Sequence, residues 1–465
     1  MIPSSGPLAR RLLVSRTMRT VCPALALLAL LAAPSRPARA AGVAAASASE
    51  GGAAIPATLT LEAALGLFRT RGFDLLLADA QVAAAAGDLL AAGASQNPQL
   101  SAGLTHSPGY DASKCAGCSA TGFNLGVSDQ GALSDLLLTR KRGLRQDVAR
   151  AALEAAKLSR ADAQRTLELS LKTLFTQALL AGAQIDLAGE ARESAARTRA
   201  LNEKRFALGA VSEADVARAE VAELEAEQAR EGATQQLASL RAGLGVFLGL
   251  RGAAAPPAFE LDPKGLDFRV PAALAEASAG SLLQAALEAR PDLRATALQR
   301  ERAAASIALV QRQRWPDLAL NLGYAQQGTS QDAIAPPTVS VGFSLPLPIL
   351  YQQGGELARA EADLSAQAAL RQKQEAQVVA DVRAAFAAFS AARAQVERMD
   401  ARLLGRARRA RDLIEVQYQK GSASLLDLLD AQRTFLAVNG ERLALLAGYW
   451  NAVASLEAAV SKELR

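Results

Sequence analysis

Two cysteines spaced as Cys-x-x-Cys are the residues of this sequence best placed to do chemistry. Cys115 and Cys118 follow His106 and Asp111, and thiolate, imidazole and carboxylate groups at such spacings can bind a metal ion. The one other cysteine, Cys22, lies in an N-terminal segment of leader type. In a secreted protein a disulfide between Cys115 and Cys118 is the commoner state, and a metal site and free thiols are the alternatives.

The sequence lacks the patterns of the common catalytic and nucleotide-binding sites. His106 is the only histidine, which excludes a histidine pair for metal binding or general acid-base catalysis. The glycines of 243–249 end a predicted helix and do not follow a strand, so they lack the context of a dinucleotide-binding loop. No G-x-S-x-G, phosphate-loop or H-E-x-x-H motif occurs. We therefore expect a protein that is not an enzyme and has no cofactor and no bound metal.

The basic charge of the chain is concentrated in its first 40 residues. The chain has 51 Lys and Arg against 46 Asp and Glu, a net charge of +5. The first 40 residues contain six Arg and no acidic residue, so removing them leaves 45 basic against 46 acidic residues, a net charge of −1. Residues 1–40 also contain the apolar run Ala24–Ala33 and an A-R-A sequence ending at Ala40, the pattern of a secretory signal peptide. Because the basic charge belongs to this leader, the composition does not favour a nucleic-acid partner.

After residue 40 the sequence consists of two similar repeats. Residues 73–100 align with residues 291–318 at an offset of 218, and residues 205–215 align with residues 417–427 at an offset of 212. The matched residues include Pro98 and Pro316, Gly209 and Gly421, Ser212 and Ser424, and Asp215 and Asp427. Such a duplication indicates two copies of one structural unit with the same order of elements.

The duplication predicts the organisation of the chain. We expect a flexible segment at 41–58, a first repeat at 59–250, an irregular crossing segment at 251–277 and a second repeat at 278–465. In each repeat we expect a helix of about 36 residues, two short strands, a helix of about 75 residues, a tight turn and a second helix of about 36 residues.

Four segments alternate apolar with small or polar residues, two within 97–130 and two within 316–349. Their apolar positions are Leu100, Ala102 and Leu104; Phe123, Leu125 and Val127; Leu318, Leu320, Leu322 and Tyr324; and Val339, Val341, Phe343 and Leu345. A period of two over about eight to ten residues is typical of transmembrane β-barrel strands. Four strands cannot close a barrel in lipid, so closure requires an oligomer, and this pattern leaves dimer, trimer and tetramer open.

The remaining residues predict long helices, since aromatic residues make up only 4% of the chain and much of its apolar half is Ala and Leu. A heptad-like stripe runs through Leu425, Leu429, Leu436, Leu443, Leu446, Trp450, Val453 and Val460. After the leader we expect no apolar stretch of about 18 residues, which argues against a helical membrane protein. The stripe alone fits a soluble coiled-coil scaffold equally well.

The two turns between long helices, at 205–218 and 417–432, have matching helix-end signals. Glycine can adopt the left-handed conformation that ends a helix, serine is a favoured N-cap, and an acidic residue three positions later completes a capping box. These positions are Gly209, Ser212 and Asp215 in the first turn and Gly421, Ser424 and Asp427 in the second. Capping does not account for Asp430, which lies on the same helix face as Asp427.

The chain resembles the TolC-type outer-membrane efflux proteins over nearly all of its length after residue 40. The resemblance rests on the duplication, on Pro98 and Pro316 before the strands, and on the turns at 205–218 and 417–432. It implies a mainly α fold with a small β part: a long α-helical coiled-coil barrel plus a transmembrane β-barrel, four strands per chain, built as a trimer. It also implies a location in the lipid of the cell outer membrane, extending into the periplasm, and partnership with a periplasmic adaptor protein and an inner-membrane pump.

The resemblance further implies roles for residues of the two turns. Asp427 and Asp430 would line a cation-sensitive periplasmic entrance, and Asp215 and Tyr418 match positions that hold this entrance closed in the family. Ala423 stands where family members can have an arginine, so the closing contact differs here. The positions implied for adaptor docking are those of Gly209, Ser212, Gly421 and Ser424.

We therefore expect an outer-membrane exit channel of a tripartite efflux system, which passively conducts substrates expelled by a pump. The alternatives are a type I secretion exit channel and a secreted soluble coiled-coil scaffold. One further feature is the arginine-rich run Arg402–Arg411, whose simplest interpretation is a solvated helix face and whose alternative is a surface for an acidic partner.

Overall fold

The computed structural model describes residues 55–111, 113–114, 119–250, 259–327 and 337–464. The predicted signal peptide, most of the segment 41–58, and the cysteines at 115 and 118 lie outside these residues.

The first repeat contains a short strand, two helices in tandem, a strand pair and two long helices. These are β1 (Thr58–Leu59), α1 (Leu61–Arg71), α2 (Phe73–Ala92), β2 (Gln99–His106), β3 (Thr121–Ser128), α3 (Lys141–Ala207) and α4 (Glu213–Phe247). With 67 residues, α3 is about 100 Å long and somewhat shorter than the sequence pattern predicted.

The second repeat has the same order of elements. After the short strand β4 (Glu260–Leu261) in the crossing segment, these are α5 (Ala279–Ala289), α6 (Pro291–Gln313), β5 (Ala319–Gln327), β6 (Thr338–Ser344), α7 (Gly354–Arg398), α8 (Leu404–Gln419) and α9 (Leu425–Val460). A π-helical segment, Met399–Leu403, joins α7 to α8, so the two form a counterpart of α3. The mainly α fold with four barrel-type strands per chain is confirmed.

The tandem helices bend at equivalent positions in the two repeats. Gly72 between α1 and α2, and Arg290 between α5 and α6, have nearly the same backbone angles, with ψ of 123° and 122°. At Arg290 the cause is Pro291, because proline disfavours a helical conformation in the residue before it. At Gly72 the bend brings the backbone so close to Phe68 that a Cβ atom would lie 2.6 Å from its ring.

The long helices organise the helical packing. α3 packs against α2 and α4 of its own repeat and against α6 and α9 of the second repeat. The α7–α8 helix packs against α6 and α9. The main core lies where these helices meet the crossing segment, with Phe175, Tyr449 and Trp450 at its centre. The predicted stripe on α9 is buried or half-buried along its length, as expected for a helix packed on two neighbours.

The four predicted strands form one antiparallel sheet in the order β2-β3-β5-β6. The register places the alternating apolar residues in rows across one face, for example Leu100, Val127, Leu322 and Val341. The opposite face has rows of small and polar residues, such as Ser101, Gly126, Gly323 and Ser340. Within the described residues, β2 and β6 are the edges of this sheet. The alternation predicted from sequence is therefore confirmed.

The expectation that no later stretch is apolar over about 18 residues is wrong. Leu61–Ala92 and Leu425–Val460 are both long and apolar enough to cross a membrane, by length and composition only. The first is bent at Gly72, and 61% of the apolar window of the second is buried within the fold. Only 6% of the apolar window of the first stretch is buried within the described fold.

Candidate functional site

The two turns at 205–218 and 417–432, called tip 1 and tip 2 below, end their helices in the same way. Gly209 and Gly421 have φ of +70° and +79°, a left-handed conformation in which any side chain would be strained. The next amide in each turn reaches back five residues, from Ala210 to the Arg205 carbonyl and from Ser422 to the Gln417 carbonyl. This is the glycine-based helix end that the sequence predicted.

Both tips then start the following helix with a complete capping box. In tip 1, the Ser212 hydroxyl accepts from the Asp215 amide at 3.3 Å, and the Asp215 carboxylate accepts from the Ser212 amide at 3.2 Å. In tip 2, the same bonds between Ser424 and Asp427 measure 3.2 Å and 3.0 Å. Each serine hydroxyl and amide donates to its aspartate, and these bonds hold the pKa of Asp215 and of Asp427 below its usual value.

The acidic residues of the two tips have different surroundings. Asp215 lies 3.4 Å from the Arg218 guanidinium, which partly neutralises it. Asp427 and Asp430 are exposed on successive turns of α9, and neither is in an ion pair within the described part of the chain. Tip 2 therefore presents two uncompensated carboxylates to solvent, which can attract cations.

Tyr418 lies in the cluster that joins the two tips. Its side chain is buried, and its hydroxyl donates to the Asn202 amide oxygen at 2.7 Å. The Arg205 guanidinium stacks 4.7 Å from the centre of the Tyr418 ring and donates to the Tyr418 and Gln419 carbonyls at 3.1 Å and 3.3 Å. The aromatic ring therefore connects the ends of α3 and α8, and the bonded partner of its hydroxyl is Asn202.

Sequence reasoning did not identify Asn202, and it included Arg205 only as the first residue of the turn at 205–218 without a role of its own. The one sequence signal for Arg205 was that the two repeats differ at this position, where the second repeat has Gln417. The apolar residues Leu425, Leu428 and Leu429 of α9 complete the cluster around Tyr418. The two tips are thereby held together within one chain.

Two groups of buried charges hold the helices farther from the tips. Lys172 of α3 and Glu457 of α9 are both buried and lie 2.8 Å apart. Arg290, at the bend before α6, contacts Asp292 at 2.6 Å and Asp381 of α7 at 2.9 Å. Burial tends to raise the pKa of Asp292, but the hydrogen bonds and charge of Arg290 outweigh it and hold this pKa below its usual value.

The cysteine pair predicted as a disulfide lies outside the described residues, and His106 ends β2. Among the residues that the structure describes, no group of three or more His, Cys, Asp or Glu side chains is arranged to hold a metal ion.

Comparisons with known proteins agree with this architecture. A family model described as "Outer membrane efflux protein" matches residues 64–250 and 282–461, one range in each repeat. The cobalt-zinc-cadmium resistance protein CzcC of Cupriavidus metallidurans is 26% identical over 408 residues, covering 86% of this chain and 89% of that protein.

Solved structures share the fold. The outer membrane protein VceC of Vibrio cholerae is 19% identical, with a TM-score of 0.67 over 87% of this chain and 97% of that chain. The open state of the Neisseria gonorrhoeae MtrE outer membrane channel is also 19% identical, with a TM-score of 0.67 over 87% of this chain and 89% of that chain.

Proposed function

This chain belongs to the outer membrane efflux protein family, and from that premise we propose that it forms the passive exit channel of a tripartite efflux system. The protein lies in the cell outer membrane and extends into the periplasm. An inner-membrane pump supplies the energy, a periplasmic adaptor protein connects pump to channel, and the substrate leaves through the channel without a reaction.

The observation that carries this proposal is the sheet β2-β3-β5-β6, whose edge strands β2 and β6 have no further strand beside them in the part of the chain that the structure describes. Its apolar face is open to solvent, with Leu104 84% and Val339 78% exposed. An exposed apolar face of this kind fits lipid, and backbone groups at a sheet edge must be paired inside a membrane. Three copies would pair these edges into a closed barrel, whose small and polar face would line the lumen.

The two tips supply the periplasmic end of this channel. They are the turns at the opposite ends of α3 and α8 from the strands, so an adaptor would reach Gly209, Ser212, Gly421 and Ser424 first. Asp427 and Asp430 would form two stacked rings of three carboxylates around the entrance. Tyr418 and Asp215 would stabilise the closed state of the entrance. Tyr418 would do so through its hydrogen bond to Asn202, and Asp215 through the capping box that it forms with Ser212.

Divalent metal cations are the substrate class that the similarity to CzcC favours, because that protein is named for cobalt, zinc and cadmium resistance. Exposed carboxylates at tip 2 would concentrate such ions at the entrance. Deleting the gene should then lower the concentrations of cobalt, zinc and cadmium salts that its host tolerates. Unchanged tolerance of all three would remove this substrate class and leave the channel assignment standing.

Electron microscopy tests the channel itself. Protein extracted in detergent from the outer-membrane fraction should appear as tapered, three-fold tubes longer than about 100 Å, the length of α3. Protein that is soluble in the periplasm, or that forms solid rods without a lumen, would overturn the proposal and favour the soluble coiled-coil scaffold.

A further inference from the structure

The two repeats have unequal packing partners, although their folds are equivalent. In the second repeat, α6 packs against α3 and α7, and α9 packs against α3 and the α7–α8 helix. In the first repeat, α2 and α4 pack along one long helix, α3. Within the described residues, α2 and α4 therefore lack the second long helix that α6 and α9 have. The equivalent helix would be an α7–α8 helix from outside the chain. A second copy would supply it in a head-to-tail arrangement.

The packing of α9 on α3 predicts the register of this contact. The Gln432 side chain of α9 donates to the Ser194 hydroxyl of α3 at 3.3 Å. At the offset of 212 that relates the tips, the counterpart of Gln432 is Glu220 on α4, and the counterpart of Ser194 is Arg406 on α8. The position of the Gln432–Ser194 hydrogen bond within one chain is therefore equivalent to that of an oppositely charged pair, Glu220 and Arg406, between two copies.

Both members of this pair lack an ion-pair partner within one copy of the described chain. Arg402, Arg406 and Arg409 are exposed on successive turns, and none is in an ion pair within the described residues. On α4, Glu220 is exposed and likewise has no cationic partner among the described residues.

The same helix faces expose apolar side chains at equivalent positions. Leu436 of α9 and Ala191 of α3 line one groove, and their counterparts at the offset of 212 are Leu224 and Leu403. Leu224 is 57% exposed and Leu403 is 44% exposed. Both leucines would be covered by the proposed contact, which gives it an apolar centre beside the charged pair.

We propose that α4 of one copy packs antiparallel against α8, and against the π-helical segment before it, of the next copy, with Glu220 paired with Arg406 and Leu224 against Leu403. The contact gives Arg406 of the arginine-rich run an acidic partner on a second copy of this chain. The inference rests on the proposed function, because it requires the chain to form a ring. The duplicated packing determines which helices meet, and the opposite charges of Glu220 and Arg406 favour this register.

Cross-linking between copies tests this register. In a background of Cys115→Ser and Cys118→Ser, the variant with Glu220→Cys and Arg406→Cys should form covalent dimers and trimers with a short bis-maleimide. The matched control combines Glu220→Cys with Arg408→Cys, since Arg408 lies two residues away and about 200° around the helix. The control should remain largely uncross-linked.

Charge reversal gives a second, independent readout. Glu220→Arg alone and Arg406→Glu alone should each lower the fraction of trimer that survives dilution in detergent, and the two combined should restore it. Three-fold tubes that show no cross-link at this pair and no rescue would overturn the register while leaving the channel intact. A chain that is monomeric and soluble would overturn both the register and the proposed function.

Discussion

The Tyr418 hydroxyl lies 2.7 Å from the Asn202 amide oxygen, and both side chains are buried between the ends of α3 and α8. The Asn202 amide nitrogen also donates to the Thr198 carbonyl at 2.8 Å, so this side chain is fixed from both ends. A buried hydrogen bond at this position couples the two tips of one chain, because each partner belongs to a different repeat.

Removing the Tyr418 hydroxyl should loosen the tips. Tyr418→Phe would leave the Asn202 oxygen buried without its donor, which costs about 1–3 kcal/mol for a group of this kind. We expect faster backbone hydrogen exchange at 425–429 and more frequent channel opening in planar bilayers. Combining Tyr418→Phe with Asn202→Leu should recover part of the protection, because both polar groups are then absent. Unchanged exchange in the single variant would show that the bond does not hold the tips.

The buried ion pair between Lys172 and Glu457 should be sensitive to loss of one partner. Lys172→Met removes the cation that faces the Glu457 carboxylate, and breaking a buried pair in this way costs about 3–5 kcal/mol. Combining it with Glu457→Gln removes the charge and keeps an acceptor for the Leu464 amide, which now donates to Glu457 at 3.1 Å. Thermal unfolding followed by circular dichroism should show a large loss in the first variant and a small one in the second. Equal losses in both variants would contradict the electrostatic explanation.

Local patterns predicted much of the fold, because each pattern depends on neighbours in sequence. A period of two at Leu100 to Leu104 and Val339 to Phe343 suffices for a strand with one apolar face. Gly421 followed by Ser424 and Asp427 suffices for the end of one helix and the start of the next, and the structure forms that cap.

Contacts between distant residues were not predictable in the same way. Asn202 and Tyr418 are 216 positions apart, and their bond depends on how α3 packs beside α8. The apolar stretch in α9 was also missed, although its composition reveals it; the packing that buries 61% of its apolar window depends on residues distant in sequence. The duplication was nevertheless informative, since it relates the contact between α3 and α9 within the chain to exposed positions on α4 and α8.

Asp427 and Asp430 should make the channel sensitive to multivalent cations. Both carboxylates are exposed at tip 2, and three copies would bring six of them to one entrance. We expect Asp427→Ala combined with Asp430→Ala to weaken block of single-channel current by multivalent cations in planar bilayers. Because Asp427 is also a cap residue, Asp430→Ala alone separates the charge effect from the cap. Glu213→Ala, an exposed charge removed from tip 1, is the control, and equal block in all variants would remove the gate assignment.

The two capping boxes should contribute stability that depends on pH. The folded state lowers the pKa of Asp215 and Asp427, so it favours their ionised forms. The two carboxylates therefore stabilise the folded protein fully at pH values above the pKa of an aspartate in the unfolded chain, about 3.9. This stabilisation is lost as the pH falls through their lower pKa in the folded protein. The variant Asp215→Asn with Asp427→Asn should have a lower Tm than the parent at neutral pH, and this difference should disappear in strong acid. A difference that stays constant with pH would show that ionisation of the caps contributes nothing.

The two faces of the sheet should respond differently to a new charge. Val341 lies on the apolar face of β6 and is 71% exposed, whereas its neighbour Ser340 lies on the opposite face. An arginine on the lipid face near the middle of a bilayer costs about 2–4 kcal/mol, while an arginine on the lumen face mainly changes the properties of the pore. Val341→Arg should therefore reduce the trimer recovered from the outer-membrane fraction. Ser340→Arg should assemble normally and lower the conductance to cations. If Ser340→Arg abolished assembly and Val341→Arg did not, the lipid and lumen faces would have to be exchanged.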